Sequence, residues 1–190
     1  MIVSNNGVSK FLAYLLRHRP QSLGLNMDSH GWVEVDEMIS KINNNKKYDV
    51  PDITFEDIKE VVKTNKKQRF ILKYENGKCY IRANQGHTLK NVDLEFEERK
   101  PPKVLYHGTG KKYINSIFDR GIIKKTRQYV HLSSDIKIAY EVGIRHGEVV
   151  ILEIDAEQMY RDGVKFYLSA NNVWLVDFVD KRYFKIIDYK

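Results

Sequence analysis

Apolar positions recur at helical spacing over residues 11–20, where Phe11, Leu12, Leu15 and Leu16 share one face before the run ends in Arg17-His18-Arg19 and Pro20. The pattern predicts a buried helix that Pro20 stops, because proline lacks an N–H to donate and restricts the residue before it. Trp32-Val33-Glu34-Val35 then alternates like a brief strand, and Asp36 stands as N-cap of a helix over 37–42 with Met38, Ile39 and Ile42 inward. Thr54 with Asp57 three residues on has the form of a capping box, opening a third helix through Thr64 that buries Phe55, Ile58, Val61 and Val62. Residues 69–74 and 78–82 are β-forming runs joined by Glu75-Asn76-Gly77. Asn-Gly accepts the positive φ of a type I′ turn, so a hairpin is predicted. Three helices followed by a hairpin predict a winged-helix domain, a fold used to bind nucleic acid and protein alike.

Acidic residues followed by Pro101-Pro102 break the pattern at 93–102, since neither helix nor central strand continues through that pair. The expected organisation is a first domain over 1–95, a linker over 96–102 and a second domain over 103–190. Beyond the boundary, strand-like runs alternate with shorter helices at 104–106, 113–119, 129–132, 135–145, 149–154, 156–160, 165–168, 173–176 and 183–187. Short strands with few helices predict a compact α+β domain. The run Asn43-Asn44-Asn45-Lys46-Lys47 reads as a solvated loop between helices.

The chain has 190 residues, of which 42% are hydrophobic and 12% aromatic, enough for one large core or two small ones. Its net charge of +7 is not a tail: residues 1–100 hold 17 basic and 14 acidic side chains, and 101–190 hold 15 and 11. Such a balance favours a polyanionic partner such as nucleic acid without establishing one. Cys79 stands alone, which excludes an internal disulfide and a cysteine-rich metal site and suits a reducing compartment, the cytoplasm or, in a eukaryote, the nucleus. No apolar run spans a bilayer and the N-terminus lacks the features of a secretory signal, so no membrane association is expected. No metal is expected either, as the histidines and acids lack ligand spacing such as His-Glu-x-x-His.

Candidate chemistry is scattered along the chain. Arg17, His18 and Arg19 could answer the negative end of a helix dipole or, with distant Arg and His residues, assemble an anion site. Arg69 follows Lys66-Lys67-Gln68 at the entry to the hairpin, and residues 82–88, rich in hydrogen-bonding groups, read as a site loop or an ordinary turn at Gly86. His107-Gly108-Thr109-Gly110 sits at the end of a strand, where it offers a flat ligand an imidazole, a hydroxyl and an approachable backbone. Tyr129, His131 and Ser133 fall on one face of a strand with Val130 and Leu132 on the other, and Ser134 is placed to cap the next helix. Neither Gly-x-Gly-x-x-Gly nor a phosphate-cradling Gly-x-x-x-x-Gly-Lys-Ser/Thr is present.

Seven motifs occur in one order: Leu-Arg-His, Asn-Lys-Lys-Gln-Arg-Phe, Ile-Arg-Ala-Asn-Gln-Gly-His, Tyr-His-Gly-Thr, Arg-x-x-Val-His-Leu, Gly-x-Arg-His-Gly and Phe-Tyr-x-Ser-x-Asn-x-Val-Trp-Leu. Together, from Leu12 to about Val176, they resemble the RNA 2′-phosphotransferases, also called tRNA 2′-phosphotransferases. The resemblance implies an α+β protein with an N-terminal winged-helix lobe and a C-terminal ADP-ribosyltransferase-like lobe that binds NAD⁺. It implies that an internal RNA 2′-phosphate attacks the nicotinamide-bearing ribose carbon, releasing nicotinamide and leaving an RNA-2′-phospho-ADP-ribose intermediate. A ribose hydroxyl then attacks phosphorus, giving 2′-OH RNA and ADP-ribose 1″,2″-cyclic phosphate. The family's catalytic positions fall on Arg17, His18, Arg69 and Arg127, and its NAD⁺ pocket on His107, Gly108 and Thr109, with His131 and Ser133 matching a further cofactor motif. Tyr129 departs from the family's usual His and Asn172 from its usual Gly. Two other readings compete: an ADP-ribosyltransferase that caps nucleic-acid phosphate ends, and a non-catalytic winged-helix nucleic-acid-binding protein. Oligomeric state is left open, with a monomer sufficient.

Overall fold

The computed structural model describes residues 5–45, 48 and 50–187. Lys46 and Lys47 of the expected loop, and the first four residues of the N-terminal run, lie outside the described residues. The chain divides into two compact units, Met1–Glu95 and Phe96–Lys190.

In the first unit, α1 (Asn5–His18) begins earlier than its apolar face suggests, and Leu12, Leu15 and Leu16 are completely buried. Each such leucine stabilises by roughly 1.5–3 kcal/mol over leaving it in water. Pro20 does more than stop the helix. It opens a 3-10 turn, Pro20–Leu23, closed by Gly24 at φ 60°. Strand β1 (Val33–Glu34) leads directly into α2 (Val35–Asn43), so Glu34 occupies the N-cap position expected for Asp36. Val35 is buried with Met38 and Ile42 on the inner face, and that burial draws the first turn in before Asp36. Helix α3 (Phe55–Thr64) carries the capping box: Asp57 N–H donates to Thr54 Oγ1 at 3.2 Å, and Thr54 N–H donates to Asp57 Oδ2 at 2.8 Å. Strands β2 (Phe70–Glu75) and β3 (Lys78–Ala83) form the hairpin, with Asn76 at φ 50° and Gly77 at φ 74° in its turn, and β1 joins the other edge of β3. The three helices and this sheet enclose one core.

The second unit is mixed helix and sheet. Strands β4 (Val104–Gly110), β7 (Val149–Asp155) and β11 (Phe184–Ile187) form an antiparallel sheet with β7 central. A second sheet holds β6 (Val130–Leu132), β9 (Trp174–Val176) and β8 (Tyr167–Leu168) with β9 central. Tyr106 and Ser133 join the two sheets by exchanging backbone hydrogen bonds of 2.7 and 2.9 Å. Helices α4 (Ile114–Arg120), α5 (Ile136–Gly143) and α6 (Ala156–Arg161) lie in the predicted helical stretches. The two-residue strands β5 (Ile122–Ile123) and β10 (Phe178–Val179) pair with each other and are too short to leave a periodic signal. Among the described residues no helix is long and apolar enough to cross a membrane.

Strand β4 runs further than expected. It continues through Gly110, so His107-Gly108-Thr109 lies inside the strand instead of beyond its end. Leu105 and Thr109 are buried on the side His107 shares, while Gly108 and Gly110 turn to the other side. A Cβ on Gly108 would stand 1.7 Å from the Ala139 carbonyl oxygen, so α5 rests directly on the strand backbone. The missing side chain therefore serves helix packing. Gly108→Ala is expected to destabilise the chain by about 3 kcal/mol or more, because a backbone carbonyl cannot yield as a flexible side chain would. Urea denaturation checks this, and an unchanged midpoint would refute the packing role.

Candidate active site

The last turn of α1 presents Arg17 and His18, and the segment after β3 fastens that turn in place. Thr88 N–H donates to the Arg17 carbonyl at 3.1 Å, and His18 Nδ1 lies 3.1 Å from Thr88 Oγ1. Gly86, at φ 89°, lets the backbone pass close to Arg17: a Cβ there would stand 3.6 Å from the guanidinium carbon. The same segment holds Arg69 at its other end. Asn84 N–H donates to the Arg69 carbonyl at 2.8 Å, and Asn84 Nδ2 donates to the Gln68 carbonyl at 2.6 Å. Arg69 in turn reaches back to α1, donating from Nη1 to Ser9 Oγ at 3.0 Å. Ser9 is 1% exposed and also accepts from Asn65 Nδ2 at 2.5 Å. Thus residues 84–88 tie two remote arginine-bearing segments to one loop.

Burial lowers the Arg69 pKa from its ordinary value, yet an arginine so shifted keeps its charge. Arg82 is also lowered by burial, opposed by Asp28 and Glu95; its guanidinium lies 4.6 Å over the Trp32 ring. His87 is completely buried beside these cations. Its pKa falls to about 4, first through burial and then through the charges of Arg17, His18 and Arg82. A neutral ring is the form this environment tolerates. Gly31 makes room for it, since a Cβ there would come within 3.4 Å of His87 Nε2.

In the second unit, His107 Nδ1 lies 3.1 Å from the His131 carbonyl oxygen. A carbonyl only accepts, so Nδ1 carries the proton and Nε2 holds the lone pair of the neutral ring. Burial chiefly lowers the His107 pKa; Arg127 and His146 add to the shift while the His131 carbonyl opposes it. Arg127 Nη1 donates to His131 Nδ1 at 3.1 Å, which places the proton of a neutral His131 on Nε2. Desolvation lowers the Arg127 pKa, though the residue as a whole stays exposed and the desolvation is partial. Ser133 is engaged locally: its hydroxyl donates to the Asp135 carbonyl at 2.9 Å and accepts the Asp135 N–H at 3.0 Å. Asp135, not Ser134, caps α5 by accepting the Lys137 N–H at 2.7 Å, because the Ser133 turn brings its carboxylate to the helix start. Tyr129 packs between Phe96 and Tyr167, with ring centroids 5.9 and 5.6 Å away.

Arg17, His18 and Arg69 therefore share the first unit, while Arg127, His107, Gly108, Thr109, His131 and Ser133 share the second. Ser9, Asn84, His87 and Thr88 support the arginine-bearing segments and carry no individual motif in the sequence. The density of polar side chains over 82–88 pointed to three of them. Ser9 left no signal, being one small residue on an amphipathic helix.

The buried His87 also sets an acid limit. Its folded-state pKa near 4 lies below the unfolded value of 6.5, so the unfolded chain binds more protons between those pH values. Stability is full above about pH 6.5 and falls as pH drops towards 4, by roughly 3 kcal/mol for this group. The His87→Gln variant should lose much of that dependence between pH 6.5 and 4 in denaturant titrations. An identical slope in both proteins would rule out His87 as its source.

Comparison with known proteins supplies the family. Residues 4–178 match the model described as RNA 2'-phosphotransferase, Tpt1 / KptA family. A protein of Acaryochloris marina named "Probable RNA 2'-phosphotransferase" is 45% identical over 177 residues, covering 93% of this chain and 94% of the relative. One from Flavobacterium johnsoniae with the same name is 46% identical over 176 residues, covering 93% of each. Another so named, from Pseudomonas fluorescens, is 44% identical over 179 residues, covering 94% of this chain and 95% of its own. With the family model and relatives all spanning nearly the whole chain, this protein belongs to the RNA 2′-phosphotransferase family and is a transferase.

Proposed function

We propose that the chain removes an internal 2′-phosphate, of the kind left at a tRNA splice junction, by passing it from RNA to NAD⁺ in two steps. The first unit is read as a winged-helix lobe that engages RNA and the second as an ADP-ribosyltransferase-like lobe that takes NAD⁺, both in the cytoplasm. The observation that carries this reading is the Arg127–His131 hydrogen bond of 3.1 Å, which couples a guanidinium suited to phosphate with an imidazole expected at the dinucleotide.

The residues fit NAD⁺ as co-substrate. His107 and His131 present neutral imidazoles with fixed tautomers, able to pair with ribose hydroxyls or an amide, and Arg127 offers charge to phosphate. A phosphomonoester is largely dianionic near neutral pH, so the first nucleophile needs orientation and neutralisation more than a strong base. Arg17 and Arg69 in the first unit and Arg127 in the second are each assigned to phosphate oxygens, a task that suits the planar guanidinium fork. In the second step these groups stabilise the charge that builds on phosphorus, and His18 takes the proton of the attacking ribose hydroxyl and returns it to the departing RNA oxygen.

Each guanidinium should contribute most where charge accumulates, so Arg69→Ala and Arg127→Ala are expected to slow the second step by roughly 10²- to 10³-fold. Quenched time courses should then show ADP-ribosylated RNA accumulating, whereas normal turnover in either variant would remove that residue from its assigned role. NAD⁺ should raise the thermal midpoint of the unmodified protein through linkage. No shift at saturating millimolar NAD⁺ would count against the dinucleotide as co-substrate.

A further inference from the structure

Thr88 makes three contacts with one helix terminus. Its N–H donates to the Arg17 carbonyl at 3.1 Å, its Oγ1 donates to the same carbonyl at 3.4 Å, and Oγ1 lies 3.1 Å from His18 Nδ1. The Arg17 carbonyl belongs to the last turn of α1, where carbonyls have no intrahelical partner and carry the negative end of the helix dipole. That oxygen can only accept. A threonine hydroxyl has one proton and two lone pairs; once the proton is directed at Arg17, only lone pairs face His18. Nδ1 must then supply the hydrogen of the third contact.

From this geometry we infer that Thr88 is a positioning residue that holds His18 as its Nδ1–H tautomer, so that Nε2 is the nitrogen through which His18 exchanges protons with substrate. The inference rests on the reading of His18 as the acid–base group of the second step, although the tautomer itself can be measured without substrate. Neutral histidine in water favours the opposite form, with the proton on Nε2, so the protein must impose this choice. The polarity of the loop makes it possible. Gly86 brings the chain down beside Arg17, the Asn84 bonds to Arg69 and Gln68 fix its other end, and Thr88 arrives with its hydroxyl between a carbonyl and an imidazole. The proton balance is closed: in the second step Nε2 gains the proton that the ribose hydroxyl loses, then yields it to the RNA 2′-oxygen, and the Nδ1–H is never spent. The Thr88 contact would also persist in the transient imidazolium, whose Nδ1 remains a donor.

The test is nitrogen NMR of the intact 190-residue chain with isotope-labelled histidines, in alkaline buffer where imidazole is neutral, with the His18 signals assigned by their loss in His18→Asn. The unmodified protein and Thr88→Ser should show a protonated-type shift at Nδ1 and a lone-pair-type shift at Nε2. Thr88→Val keeps the shape and the N–H bond to Arg17 but has no hydroxyl, and should move His18 towards the Nε2–H form. Turnover of a 2′-phosphorylated RNA should fall roughly 10- to 100-fold in Thr88→Val, as for other residues that orient a functional histidine, and stay near normal in Thr88→Ser. An Nε2–H tautomer in the unmodified protein overturns the inference, even if Thr88→Val fails to fold. So does a Thr88→Val protein with the tautomer and turnover unchanged. A protein with the Nδ1–H tautomer but no action on 2′-phosphorylated RNA would instead overturn the functional reading and leave the positioning role standing.

Discussion

Residues 84–88 hold two distant parts of the first unit by their backbone, and the candidate chemistry there depends on that hold. At one end Asn84 extends the β2–β3 ladder by a further bond, to the Arg69 carbonyl; at the other Thr88 completes the terminus of α1 at the Arg17 carbonyl. Both anchors are main-chain bonds, so they constrain where the arginine Cα atoms sit before any side-chain preference acts. A long, flexible side chain such as arginine loses about 2 kcal/mol of rotamer freedom when ordered. Fixing its base and giving its head a buried partner, as Ser9 does for Arg69, provides that ordering in advance of substrate.

The electrostatics follow from the same constraint. Gathering Arg17, Arg82 and His18 around a buried imidazole would be prohibitive if that imidazole were charged, and His87 is held neutral by burial and by those neighbours together. The second unit repeats the device with His107, half-buried and held towards its neutral form chiefly by desolvation, with Arg127 adding to the shift. Positive charge is thereby left to the guanidiniums, which keep it at any physiological pH. Imidazoles supply directed donors and acceptors whose tautomers are set by a carbonyl, a guanidinium or a hydroxyl. Such a division suits a reaction on a phosphate dianion, which calls for neutralisation and proton management in separate groups.

Much of the fold was legible because its signals are local. The Thr54–Asp57 capping box, the Asn76-Gly77 turn and the inward leucines of α1 each act within a few residues, and each formed as their chemistry requires. What periodicity could not register was set by packing. Helix α2 begins at Val35 because that side chain is buried, and β4 continues through Gly110 because seven of its residues pair with β7. A glycine between His and Thr suits close approach of a ligand, and the spacing carries no sign that Gly108 also lets α5 rest on the strand. Site residues were legible as motifs, and their supports were less so. Ser9 and Thr88 act across about 60 and 70 residues of chain, a separation at which no spacing rule operates.

The proposed function turns on NAD⁺ accepting the phosphate. Its most direct test is to place a radiolabelled phosphate on the 2′-oxygen of one internal RNA nucleotide and to follow the label with and without NAD⁺. With NAD⁺ as acceptor, the label is expected to leave the RNA only when NAD⁺ is present and to reappear in ADP-ribose 1″,2″-cyclic phosphate. Release as inorganic phosphate, or release without NAD⁺, would contradict it.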